Sequence, residues 1–209
     1  MTMEDAVARS EIGVSATRKW RHRVRRALFE SVLIVFSVLL ALGLNEWRDG
    51  RREAALSAAA SDAVVAEMRR NHEVLERARD HHRSVNETLT GIASRGERVS
   101  RELAQSGLFR PATLVDTAWT SAQSTGAVNR WPYARVLGVG AVYERQATYS
   151  TLARTLAADI YMDLRRRGME SALEDGVSGM ILLTQDFANR EEELARQLDT
   201  ALAAIEHSP

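Results

Sequence analysis

The chain has 209 residues, with 28 Lys+Arg balanced by 28 Asp+Glu and no cysteine. That length allows one ordinary domain and an appendage. The charge balance argues against a polyanion-binding chain. The lack of thiols excludes a disulfide framework, a thiolate nucleophile and any Cys-ligated metal.

Charge is unevenly distributed. Residues 1–26 carry seven basic side chains (Arg9, Arg18, Lys19, Arg21, Arg23, Arg25 and Arg26) against Glu4, Asp5 and Glu11, and Lys19 is the only lysine. The Arg and Ala bias suits a GC-rich bacterial genome. The basic block reads as a cytoplasmic tail that sets orientation and touches anionic lipid, rather than as a nucleic-acid site.

From Ala27 to Leu44 the only strongly polar residue is Glu30. As a helix this stretch is roughly 27 Å long, near the thickness of a hydrocarbon core. Residues 31–44 are too uniformly apolar for one face of a soluble amphipathic helix. Trp20 and Trp47 flank the run, and Glu30 lies one turn after Arg26, placed to snorkel or pair. A cleaved signal peptide is the competing reading, with Ala41-Leu42-Gly43 as a weak cleavage site and Arg25-Arg26 as a twin-arginine pair. The length of the run and the helical pattern continuing through Asn45, Glu46 and Trp47 favour an uncleaved anchor over residues 27–47. The positive-inside rule then leaves the N-terminus in the cytoplasm and residues 48–209 across a bacterial inner membrane, in the periplasm.

Beyond Trp47 the sequence reads as helical. Val64, Met68, Asn71, Leu75, Ala78, His82, Val85, Leu89 and Ile92 keep a 4-3 spacing over four heptads, predicting a helix from about residue 46 to 94 that breaks near Gly96. A short helix ends at Gly107. The next is expected to open at Pro111 and stop at Gly126; another starts at Pro132 and ends near Gly168. The last helix carries Leu173, Val177, Met180, Phe187, Leu194, Leu198 and Ile205, with kinks expected at Gly176 and Gly179. No alternating strand pattern appears. The fold class is therefore all-α: a membrane helix followed by an antiparallel helical bundle with long helices.

Glu30, the apolar run and Asn45-Glu46-Trp47-Arg48 resemble the opening of a widespread group of bacterial single-pass proteins, whose membrane helix starts near a Glu and ends in an Asn-x-Trp-type motif. Residues 117–146 resemble its second recurring block. The resemblance implies an anchor and an all-helical domain. It carries no activity and no catalytic residue.

A search for chemistry finds little. On one helix, His72 and His81 point about 180° apart and His82 about 80° from His72, so they cannot share a metal. HExxH is absent, and neither Glu73 nor Glu76 has a histidine three residues on, which removes the di-iron bundle pattern. The expectation is two solvated histidines and one that faces the seam. There is no G-x-S-x-G elbow and no phosphate loop; Gly138-Val139-Gly140 sits in a helical pattern and reads as close packing. No cofactor is expected.

The most distinctive soluble segment runs from Trp119 to Tyr133. Trp119, Ser121, Thr125, Trp131 and Tyr133 form the candidate surface for a protein partner or small polar ligand, with aromatic packing at a helix corner as the structural alternative. The long seam from Val64 to Ile92 has two readings: packing within one chain, or self-association with Asn71 and His82 fixing register, helped by Ser37 and Ala41 as a small-xxx-small pair in the membrane helix. The leading functional expectation is a non-enzymatic, membrane-anchored interaction protein. A sensory or small-ligand-binding bundle comes next, and a hydrolase or metalloenzyme third.

Overall fold

The computed structural model describes the backbone of residues 3–105 and 107–206, and the side chains of these except 3–27, 101, 105, 164, 167, 169 and 170–175. Among the described residues all regular structure is helical. Five α-helices run in the order α1 (Met3–Ser94), α2 (Arg101–Gln105), α3 (Thr117–Ser124), α4 (Tyr133–Arg167) and α5 (Met169–Glu206), with a 3-10 turn at Ala127–Arg130. The chain divides into two compact units, residues 1–54 and 55–209. Among the described residues the first buried side chain is that of Ser57.

In the N-terminal unit, one helix is long and apolar enough to cross a membrane by length and composition. Its large apolar side chains from Leu28 to Leu44 are each between 53% and 71% exposed. Ser37 donates its hydroxyl to the Leu33 carbonyl at 2.8 Å, which satisfies it within its own helix. Glu30, Asn45 and Trp47 are exposed, while the side chains of Trp20 and Arg26 lie outside the described residues.

In the second unit, the expected seam is the core. Val64, Met68, Asn71, Leu75, Ala78, His82, Val85, Leu89 and Ile92 are all buried. Val64, Met68, Leu75 and Ala78 share a cluster with Val139, Val142, Tyr143 and Tyr149 of α4 and Phe187, Leu194 and Leu198 of α5. A smaller cluster at the other end joins Val85, Leu89 and Ile92 to Val177, Met180 and Ile181. The seam is therefore filled by residues of the same chain.

The four glycines expected to end helices, Gly96, Gly107, Gly126 and Gly168, all have positive φ. At Gly168 (φ 79°) the left-handed residue is the whole connection between α4 and α5, a conformation that any side chain would strain.

One element was misplaced. The helix expected to open at Pro111 begins at Thr117, and residues 107–116 instead form an irregular strap. Pro111 has no N–H to give, and the neighbouring backbone groups are taken by side chains of α1 and α4, described below.

Leu75 is fully buried at the centre of the seam. Leu75→Ala is expected to cost about 2–5 kcal/mol of bundle stability in a denaturant titration. An unchanged midpoint would show that this seam is not the core.

Candidate functional site

The polar residues with potential chemistry converge on the strap, and each is already engaged. Asn71 acts as a substitute backbone: Val115 N–H donates to its Oδ1 at 3.1 Å, and its Nδ2 donates to the Val115 carbonyl at 2.7 Å. Gln146 Nε2 donates to the same carbonyl at 2.8 Å, and Gln146 Oε1 accepts from Asn71 Nδ2 at 2.9 Å. Ala112 N–H donates to the Tyr149 hydroxyl at 2.8 Å.

His82 sets the nearer end. Arg110 N–H donates to its Nε2 at 3.2 Å, so the ring proton resides on Nδ1, which lies 2.8 Å from Glu191 Oε2. Tyr149 donates its hydroxyl proton to Glu191 Oε1 at 2.5 Å. The Glu191 carboxylate thus accepts one bond on each oxygen, from α1 and from α4. His82 and Glu191 are both fully buried, with Phe109 and Phe187 rings 5.5 and 5.8 Å from the imidazole. A histidine oriented by a carboxylate is also the geometry of a general base. Here the nitrogen that would act is occupied by a main-chain N–H and walled off by aromatic rings.

Glu67 performs the same service at α3. Asp116 occupies the N-cap position but its side chain makes no capping bond. The N–H of Ala118 donates to Glu67 Oε2 at 2.8 Å, that of Trp119 to Oε1 at 3.4 Å, and the Tyr143 hydroxyl to Oε1 at 2.8 Å. A carboxylate from α1 thereby meets the free N–H groups and positive dipole end of a helix that cannot cap itself. Burial pushes the Tyr143 and Tyr149 hydroxyls well above the usual phenol range, and donation to Glu67 and Glu191 raises them further.

The expected surface at residues 119–133 splits in two. Trp119 and Trp131 are buried, not presented to a partner: Trp119 stacks on Tyr143 (5.6 Å between centroids, 8° between planes), and Trp131 Nε1 donates to the Ser57 carbonyl at 3.3 Å. Flat, amphipathic rings fill the corner left by the short α3, so the packing alternative holds for them. Gly140 fits the close-packing expectation, since a Cβ there would sit 3.6 Å from Trp119; Gly138 faces open space. Ser121, Thr125 and Tyr133 are exposed. The Thr125 hydroxyl, however, donates to the Ser121 carbonyl at 2.8 Å. Tyr133, 76% exposed, and Leu137, 54% exposed, lie four residues apart and form an apolar pair on the first turns of α4.

The two outer histidines are held rather than free in solvent. His72 Nε2 lies 3.1 Å from Asp199 Oδ1, and His81 Nε2 donates to the Gly107 carbonyl at 2.9 Å. Among the described residues no three metal-ligating side chains gather. A groove of about 360 Å³ runs between α4 and α5, lined by Arg145, Tyr149, Leu152, Glu193, Leu194 and Gln197 among others. Gln197 Oε1 is buried without a hydrogen-bond partner among the described residues.

Glu67, Gln146 and Glu191 were not singled out by sequence reasoning, yet two left a signal. Gln146 fills the gap between Val142 and Tyr149, and Glu191 the gap between Phe187 and Leu194, each at the spacing of the apolar grid. A polar residue on a buried grid position requires a partner elsewhere in the fold.

Two outcomes test this network. In Glu191→Gln the amide N–H₂ faces either the His82 Nδ1 proton or the Tyr149 hydroxyl proton, so a donor opposes a donor. The expected loss is about 1–3 kcal/mol, read from chemical denaturation. Alkaline pH is the second test. The folded-state pKa values of Tyr143 and Tyr149 lie above the unfolded value near 10. Their contribution is therefore complete below pH about 10 and declines above it, as the unfolded chain ionises first, by up to about 1.4 kcal/mol per pH unit for each tyrosine. Tyr149→Phe should flatten that slope; an unchanged slope would show that its hydroxyl does not titrate out of the fold.

Comparison of the chain with protein-family models, with curated proteins and with solved structures found no match.

Proposed function

We propose that this protein is a single-pass membrane protein without enzymatic activity, whose helical domain binds a protein partner. The observation that carries the anchor is the continuous exposure of the apolar side chains from Leu28 to Leu44 in a helix long enough to span a bilayer. A soluble protein would leave more apolar surface in water here than ordinary monomers do. The basic excess before the span supports a cytoplasmic N-terminus and a periplasmic helical domain in a bacterial inner membrane. The group resembled through Glu30 and Asn45-Glu46-Trp47 has the same plan.

Two features support an interaction role over catalysis. The buried histidine and both buried carboxylates are saturated by bonds that hold the strap and α3. The exposed Tyr133–Leu137 pair supplies an aromatic and aliphatic anchor of the kind found at interface centres. The groove between α4 and α5 favours a second reading, a small-ligand-binding bundle, because the orphaned Gln197 Oε1 in its lining would accept a bond from a ligand N–H or O–H.

One purification tests the reading. The tagged full-length chain should stay in carbonate-washed membranes with residues 1–26 attached, and yield a stoichiometric protein partner in mild detergent. Tyr133→Asp with Leu137→Asp should release that partner without altering helicity. A mature chain starting near Leu44 would overturn the anchor. Recovery of the chain alone would overturn the partner, and a retained small molecule would favour the second reading.

A further inference from the structure

The turns that follow the apolar run are amphipathic in charge. At about 100° per residue, Arg48, Arg51 and Arg52 fall within about 100° of one another, while Glu46, Asp49 and Glu53 share about 60° on a face centred roughly 140° away. Opposite charges this close in sequence usually pair across one helix turn. Here Asp49 accepts instead from Asn45 Nδ2 at 2.9 Å, and no ion pair to a carboxylate is seen at Arg48, Arg51 or Arg52 among the described residues. Arg51 places its guanidinium over the Trp47 ring, 4.6 Å from the centroid, and all four side chains are exposed. Net charge over residues 45–53 is zero, three arginines against three acids, so the segment has no bulk attraction for anions and only its one basic face does.

We propose that Trp47, Arg48, Arg51 and Arg52 form a one-sided clamp for the phosphate of an anionic phospholipid in the leaflet where the span ends. The proposal rests on the anchored reading of residues 27–47. Guanidinium groups match phosphate oxygens in geometry and charge, and an indole placed at the headgroup level holds the face at the depth where phosphates lie. The cation over the ring keeps Arg51 extended along that face, so less side-chain freedom is lost on binding. The carboxylate face points away and repels a second anionic lipid, which makes the clamp directional around the helix.

The test uses the full-length chain reconstituted in bilayers of phosphatidylcholine with phosphatidylglycerol, where one or the other lipid carries bromine near the headgroup end of its acyl chains. Bromine quenches tryptophan at close range, and the difference between wild type and Trp47→Phe isolates the Trp47 signal from the other three indoles. Brominated phosphatidylglycerol should be enriched at Trp47 by at least about threefold over its bulk fraction. Arg48→Gln/Arg51→Gln/Arg52→Gln should bring the ratio to one, whereas Glu46→Gln/Asp49→Asn/Glu53→Gln should keep or raise it. Equal quenching by both lipids in the wild type would overturn the clamp and leave the anchor standing. Absence of Trp47 quenching by either lipid would overturn the anchored reading at this boundary. Enrichment that survives the arginine variant would assign the lipid to another part of the chain and overturn the clamp.

Discussion

The helical domain depends on how the buried carboxylates of Glu67 and Glu191 are satisfied. An ionised carboxylate removed from water is costly unless every oxygen is bonded, and each of these is bonded by groups from separate segments. Glu191 of α5 takes one bond from His82 on α1 and one from Tyr149 on α4, and through them reaches the backbone of Arg110 and Ala112. Glu67 of α1 takes the N-terminus of α3 and the hydroxyl of Tyr143. Hydrophobic burial brings three long helices together without strongly preferring one axial setting. These bonds supply the setting, because sliding any helix by one turn leaves a charge without partners.

The same bonds explain why the strap needs no regular structure. Residues 107–116 cross the bundle with side chains answering backbone groups at four positions: His81 for Gly107, His82 for Arg110, Tyr149 for Ala112, and Asn71 with Gln146 for Val115. Phe109 adds an apolar peg, its ring 4.6 Å from that of Phe187. A short connection is thereby fixed in place, and it holds α3 where Trp119 and Trp131 close the corner of the core.

Much of this architecture was legible because it is periodic. The apolar grid from Val64 to Ile92 located the buried face of α1, and four glycines marked the helix ends they occupy. What periodicity lacked was pairing. Asn71 and His82 were recognisable as polar residues on a seam, but that pattern serves equally for contact with a second copy or with a distant part of the same chain. Their partners, Val115 and Glu191, lie 44 and 109 residues away. The strap was misread as helix because its composition permits a helix, and the competing hydrogen bonds come from residues outside any local window. The two tryptophans admitted both a surface and a packing reading for a related reason. A short helix shows no long stripe from which to judge which side is covered.

The span between His82 and Glu191 also bears on how the protein is made. Synthesis at about 5–20 residues per second adds the intervening 109 residues over roughly 5–20 s. During that interval the seam of α1 has emerged but its partners on α5 have not, and His82, Asn71 and Glu67 lie along an otherwise apolar stripe. These polar positions interrupt the stripe at intervals of about one and three turns, so the nascent chain offers no unbroken greasy face to its neighbours. The residues that fix the finished core therefore also break up the greasy face of the unfinished one.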